Sequence, residues 1–177
     1  MPFIGASGKN SSVITFAESS GTSNAITISN IPDCYGYILG IQLVGDNLVG
    51  TVNLDLRLNN DSGSKYGQVH TRSPFTVGDA HTTETIWANR QSQTAIRLLS
   101  SGQHQYNVGG TIHITRDGNY YYVVDSHLFG MDANTNSFEY LAVGEYVGSA
   151  ALSRIDIISD ATLKAKTRVW LQGVQFG

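Results

Sequence analysis

The sequence predicts an all-β fold: a jelly-roll-like antiparallel β-sandwich, single domain, with a short N-terminal arm. Three observations predict it. Apolar and polar residues alternate with period two in several separate stretches, the mark of strands with one face in a core and one in water. Turn signals punctuate the chain roughly every 8 to 14 residues, with no long helical period between the strands. Charged residues are only 14% of the chain, while Ser, Thr, Asn and 19 glycines are plentiful. That composition suits many turns and uncharged polar faces, as on surfaces covered by copies of themselves.

Taken in order, residues 1–12 are Gly- and Ser-rich and form the arm, with Phe3 and Ile4 available to dock on a neighbour. Residues 13–177 form the sandwich. A strand over 13–17 sets Ile14 and Phe16 against Thr15, and a turn follows over 18–23. The strand at 25–31 sets Ile26 and Ile28 against Thr27 and Ser29, and Pro32-Asp33 ends it. Residues 37–44 are almost wholly apolar, with Leu39, Ile41 and Leu43 on one face and Ile38 and Val44 on the other. A strand of that kind is covered on both sides, one cover being a second subunit. The cleanest strand is 51–59, where Val52, Leu54, Leu56 and Leu58 alternate with Asn53, Asp55, Arg57 and Asn59.

Residues 66–93 carry a weaker pattern, from which only a strand over 82–88 with Ile86 and Trp87 stands out. Residues 94–99 fit a strand or one helical turn equally. A strand at 111–116 leads through the turn Asp117-Gly118-Asn119 to a second arm at 120–124. A strand at 138–143 is followed by 144–151 and then by a closing pair. Ile155 and Ile157 mark its first member, a polar break spans 159–166, and Thr167, Val169 and Leu171 mark its second. About ten strands result. The last must pair with one laid down much earlier, so the fold closes through contacts distant in sequence.

Composition excludes several functions. With 177 residues and 41% hydrophobic content, one ordered domain is expected. Net charge is −3 and the 11 basic residues are scattered singly, which disfavours nucleic acid as a partner. No stretch approaches the ~20 apolar residues that span a membrane, and Met1-Pro2-Phe3-Ile4-Gly5 does not look like a signal peptide. A soluble chain made in a cytoplasm is expected. The single cysteine, Cys34, makes no intrachain disulfide, and with no neighbouring His to act as base it is an inert, half-buried thiol.

Catalytic and metal chemistry find no foothold in the residue pattern. His70, His81, His104, His113 and His127 show no metal-ligand spacing. The run Asn59-Asn60-Asp61-Ser62-Gly63-Ser64 has oxygen ligands but a single acid and no closing Glu, so it is a polar turn rather than a calcium loop. Asp55 and Asp156 lie mid-strand, where a paired Arg is the expected explanation, and no two carboxylates stand out as a glycosidase pair. There is no Gly-x-Ser-x-Gly elbow, and Gly109-Gly110 precedes a strand rather than a helix. Tyr120, Tyr121, Tyr122, Trp87 and Trp170 suit a subunit interface or core better than sugar stacking. At least one of the three tyrosines must face inward. No catalytic, cofactor-binding or metal-binding residues are expected, and no cofactor.

Three stretches together resemble tailed-bacteriophage virion proteins. The first, Leu54-Asp55-Leu56-Arg57-Leu58-Asn59-Asn60-Asp61-Ser62-Gly63-Ser64-Lys65-Tyr66, is similar to their apolar-x-Leu-x-Phe/Leu-Asn-x-Asp-Ser/Thr-Gly-x-x-Tyr pattern. The second is Gly110-Thr111-Ile112-His113-Ile114. The third, Ile155-Asp156-Ile157-Ile158 followed by Lys166-Thr167-Arg168-Val169-Trp170-Leu171-Gln172-Gly173-Val174, resembles their closing strands, with Lys166 in place of the usual Gly and Gln172 in place of the usual Tyr. The resemblance covers about residues 50–176 and implies a β-sandwich module of the virion with no active site. It implies either a capsid cement or decoration protein, or the receptor-binding head of a tail or neck fibre that recognises host surface glycan. The short arm, with no shaft before the first strand, favours the cement protein. A homotrimer bound to the major capsid protein is then expected, with the arm and the strand at 37–44 as contact elements.

Overall fold

The computed structural model describes residues 13–44, 52–75, 90–102, 107–131 and 137–174. Among them are twelve strands and no helix: β1 (Val13–Glu18), β2 (Ala25–Ser29), β3 (Gly36–Leu43), β4 (Val52–Leu58), β5 (Tyr66–Phe75), β6 (Arg90–Gln93), β7 (Ile96–Gly102), β8 (Val108–Arg116), β9 (Tyr121–Met131), β10 (Ser137–Val147), β11 (Arg154–Ser159) and β12 (Arg168–Val174). They form two sheets. The larger has the order β1-β12-β3-β8-β9-β10-β5-β6 and the smaller the order β2-β11-β4-β7.

Every pairing is antiparallel, and β12 does lie between early strands, with β1 on one side and β3 on the other. Strands pair as in a long hairpin folded over itself: β1 with β12, β2 with β11, β3 with β8 and β4 with β7. Successive members of that hairpin alternate between the two sheets, which is the jelly-roll arrangement. Strands β9, β10, β5 and β6 extend the larger sheet beyond β8.

Between the sheets lies one core. The larger sheet contributes Tyr37, Leu39, Ile41, Ile112, Ile114, Val124, Val169 and Leu171, and the smaller Ile26, Ile28, Leu54, Leu56, Leu58, Ile96, Ile155 and Ile157. The extension is packed as tightly: a methyl group added at Gly144 of β10 would stand 2.8 Å from Ile96 Cδ1 of β7.

Several boundaries differ from the sequence reading. Residues 66–75 and 90–93 form β5 and β6, which the pattern did not reveal. Residues 94–99 resolve in favour of a strand, since β7 begins at Ile96. Strands β9 and β10 each run 11 residues, past the expected ends at 124 and 143. The arm at 1–12 and the strand expected at 82–88 lie outside the described residues. The two-sided burial expected of β3 has an internal cause at one position. Its outward residues are Gly36, Ile38, Gly40 and Gln42, and Gly40 is covered by Trp170 of the adjacent β12.

Candidate interaction face

The stretch 54–66 is a structural corner. Leu58 C=O accepts Asp61 N–H at 3.0 Å, and both residues between, Asn59 and Asn60, have φ of 54°. That is a type I′ turn, whose positive φ values asparagine tolerates best among non-glycine residues. Asn59 Oδ1 accepts Ser153 N–H at 2.8 Å and Arg154 N–H at 3.3 Å. Asp61 accepts Gly63 N–H at 2.8 Å, Lys65 Nζ at 2.9 Å and Tyr146 O–H at 3.1 Å. The Lys65 contact, then the Gly63 N–H, holds its carboxyl below the usual range. Tyr66 closes the corner: its hydroxyl accepts Leu58 N–H at 3.0 Å and lies 3.0 Å from both Leu58 O and Asp61 O. The side-chain oxygens of Asn59 and Asp61 are thus engaged in holding a turn.

Tyrosines tether this end of the sandwich. The Tyr66 and Tyr146 rings stack at 4.7 Å, and those of Tyr122 and Tyr146 at 6.1 Å. Of the run 120–122, it is Tyr122 that faces inward, fully buried, with its hydroxyl accepting Leu152 N–H at 2.8 Å. Tyr37 accepts Cys34 N–H and donates to Pro32 O, both at 2.9 Å, beside the buried Cys34 thiol. Burial pushes the phenols of Tyr37 and Tyr146 up to about 12, and those of Tyr66 and Tyr122 up as well.

The mid-strand acids have the expected partners. Asp55 pairs with Arg97, and the buried Asp156 with Arg154 at 2.7 Å and Thr27 Oγ1 at 2.6 Å. His113 and His127 point outward from β8 and β9, and His127 contacts Glu139 of β10. The described residues hold no cluster of three or more His, Cys, Asp or Glu with metal-binding geometry.

What the alternation pattern did not disclose is the outward face of the larger sheet. Registers align one row across seven strands: Phe16, Trp170, Gly40, Thr111, His127, Leu141 and Thr71. On β9 and β10 the outward positions are Tyr121, Val123, Asp125, His127 and Phe129 against Val147, Glu145, Val143, Leu141 and Glu139. Val123, Phe129, Leu141, Val143 and Val147 are all exposed, Val143 at 54%. Each acid on this pair thus faces an apolar residue across the strands. Phe129 packs on the His127 ring at 4.3 Å, and Tyr121 O–H donates to Glu145, which raises the phenol's pKa. A shallow groove of about 290 Å³ runs between Val69, Tyr121, Val123, Val143 and Glu145.

A second exposed aromatic group lies where β3, β8 and β9 meet their loops. The Arg116 guanidinium sits 5.7 Å from the ring centroids of both Tyr35 and Tyr120 and pairs with Asp33 at 2.6 Å.

No protein-family model matches the chain, and no curated protein does. Among solved structures it is similar to a glycoside hydrolase family 16 endo-glucanase from Bacteroides ovatus, at 15% identity and a TM-score of 0.23 over 92% of this chain and 82% of that one. It is also similar to the Crh5 transglycosylase, at 11% identity and a TM-score of 0.26 over 94% of this chain and 79% of that one. Likenesses this slight carry no argument about chemistry.

Proposed function

We propose that this chain is a non-enzymatic structural protein of a tailed-bacteriophage particle, a cement or decoration protein that binds the outer capsid shell as a homo-oligomer. The observation that carries the reading is the outward face of β9 and β10, where five large apolar residues face solvent on adjacent strands. Exposed apolar side chains gathered on one sheet face, here interleaved with Asp125, Glu139 and Glu145, mark a contact site. The likeness of three stretches to virion proteins supports the particle as its location, and the apolar face, suited to a protein rather than a glycan, supports the major capsid protein as its partner. A homotrimer at local threefold positions, with the arm at 1–12 reaching a neighbour, completes the proposal.

Mass action supplies the mechanism. A protein that binds the assembled shell but not free subunits stabilises the shell by that difference in affinity. Copies that each bridge neighbouring capsomers multiply small contacts into a large one. The test is to image particles with the chain labelled, count copies, and heat particles with and without it. Label on the shell in many copies, with a higher disruption temperature, supports the reading. Label on the tail or neck overturns it, as does an unchanged disruption temperature.

The second reading is a fibre or neck-appendage head that recognises host glycan. Tyr35 and Tyr120, exposed together at one end of the sandwich around Arg116, favour it. It predicts that the isolated protein binds host cells rather than capsids.

A further inference from the structure

Trp170 is 39% exposed on β12, and its cross-strand neighbour Phe16 on β1 is 54% exposed. A methyl group at Gly40 would collide with three adjacent indole atoms, Cε2, Cζ2 and Nε1. Three bonded ring atoms crowd one point in this way when a ring lies with its face, not its edge, on the strand. Gly40 therefore makes the bed for the indole, and the opposite ring face is turned to solvent.

Polar side chains flank the aromatic pair on β12, β1 and β3, with the half-buried Ile38 beside them. Arg168 and Gln172 precede and follow Trp170 by two residues on the outward face of β12, within about 7 Å along the strand. Glu18 and Gln42 flank Arg168 on β1 and β3. Arg168 Nε donates to Glu18 Oε2 at 2.9 Å, so this charge pair is locally balanced. The apolar patch on β9 and β10 is separated from the platform by the outward faces of β3 and β8, where small and polar residues, Gly36, Gly40, Gly109, Thr111, His113 and Thr115, accompany the half-buried Ile38.

We propose that Trp170 and Phe16 form a stacking platform for a saccharide. A pyranose ring has one face of C–H bonds and a rim of hydroxyls. The C–H face matches an indole held flat, and the rim matches a set of groups that between them donate and accept hydrogen bonds: guanidinium donors, carboxylate acceptors and amides that do both. A protein partner would instead reward apolar surface continuing all round the ring, whereas Gln42, Gln172, Arg168 and Glu18 stand about it beside a single half-buried apolar neighbour on β3, Ile38. The site is a platform rather than a cleft, so single-site affinity is weak, in the millimolar range, and many copies on one surface would raise it. The proposal goes beyond the capsid role and does not depend on it.

Saturation-transfer NMR on the purified chain, with cellotetraose, chitotetraose and a β-galactotetraose at up to about 10 mM, tests it. The expected result is transfer to ring C–H protons of at least one sugar. Trp170→Ala removes at least about nine-tenths of it. Gly40→Ala, which lifts the indole without deleting it, weakens it several-fold. Melting curves of both variants verify that the fold survives, and Trp170→Phe, with a smaller flat ring, gives an intermediate signal. No transfer to any of the three sugars overturns the proposal, as does transfer that persists in Trp170→Ala. A homo-oligomer that dissociates on Trp170→Ala also overturns it, by making the platform a contact between copies. The measurement uses no particle, so its failure leaves the capsid reading standing, and the particle experiment can fail without touching this one.

Discussion

Replacing Tyr66 by Phe removes one oxygen and nothing else from the corner after β4. Pairing of β4 with β7 stops at Leu56 and Ile96, and Leu58 continues to pair with β11 through Ile155. On its other side, the Tyr66 hydroxyl accepts Leu58 N–H and so stands in for a missing strand residue. Leu58 C=O keeps Asp61 N–H when the hydroxyl is lost, but the buried N–H keeps nothing. An orphaned buried donor costs about 1–3 kcal/mol, so Y66F is expected to lose about 2 kcal/mol and, at roughly 2–4 °C per kcal/mol for a chain of this size, about 4–8 °C in Tm. Y122F, which orphans Leu152 N–H, should fall in the same range. Y146F should cost under about 1 kcal/mol, because Asp61 retains Lys65 and Gly63. Urea unfolding of the three variants decides the matter. A loss below about 0.5 kcal/mol for Y66F, or equal losses for Y66F and Y146F, refutes the account of the corner.

Ser126 is fully buried on β9 and its hydroxyl has no hydrogen-bond partner; S126A is expected to raise stability by about 1 kcal/mol in the same urea assay. The buried phenols make stability fall in alkali. Tyr37 and Tyr146 have folded values raised to about 12 against about 10 unfolded, so their contribution is complete below about pH 10 and is lost as pH rises through about 12. Melting temperatures taken across that window should fall steadily, and a flat profile contradicts the burial argument. V143K, at a position 54% exposed and opposite Asp125, should change folding stability by less than about 0.5 kcal/mol while lowering occupancy on capsids; unchanged occupancy removes β10 from the docking face.

The strands legible in the sequence are those with one apolar and one polar face. On β4, Leu54, Leu56 and Leu58 are fully buried between the less buried Asn53, Asp55 and Arg57, as the spacing required. Asp156 was legible as a paired acid for the same reason: it alternates with the core residues Ile155 and Ile157, on the polar face of β11, where a mid-strand carboxylate meets a cation. Strand β5 hid because one of its inward residues is polar. Gln68 is buried and accepts Arg97 N–H through its side chain, so the position that should have carried an apolar signal carries an amide. The pairing partners were hidden for a different reason. β1 meets β12 and β2 meets β11 across most of the chain, and local periodicity holds no information about such registers.

The outward face of β9 and β10 escaped because it is apolar where water should have selected polar side chains. The expected ends at 124 and 143 fall just before inward positions that carry no apolar side chain, Ser126 and Gly130 on β9 and Gly144 on β10. Truncated strands and a hidden face therefore have separate causes, the first on the inward side of the ribbon and the second on the outward side. Period-two reasoning assumes that one side of a ribbon meets solvent, and it fails where that side carries the apolar groups of a contact surface. The same logic separates the two halves of the sheet. Around Trp170 the polar neighbours persist, as expected of a surface that stays wet until a hydroxyl-rich ligand displaces the water. On β10, Leu141 and Val143 occupy successive outward positions, as expected of a surface that gains most by being covered with protein.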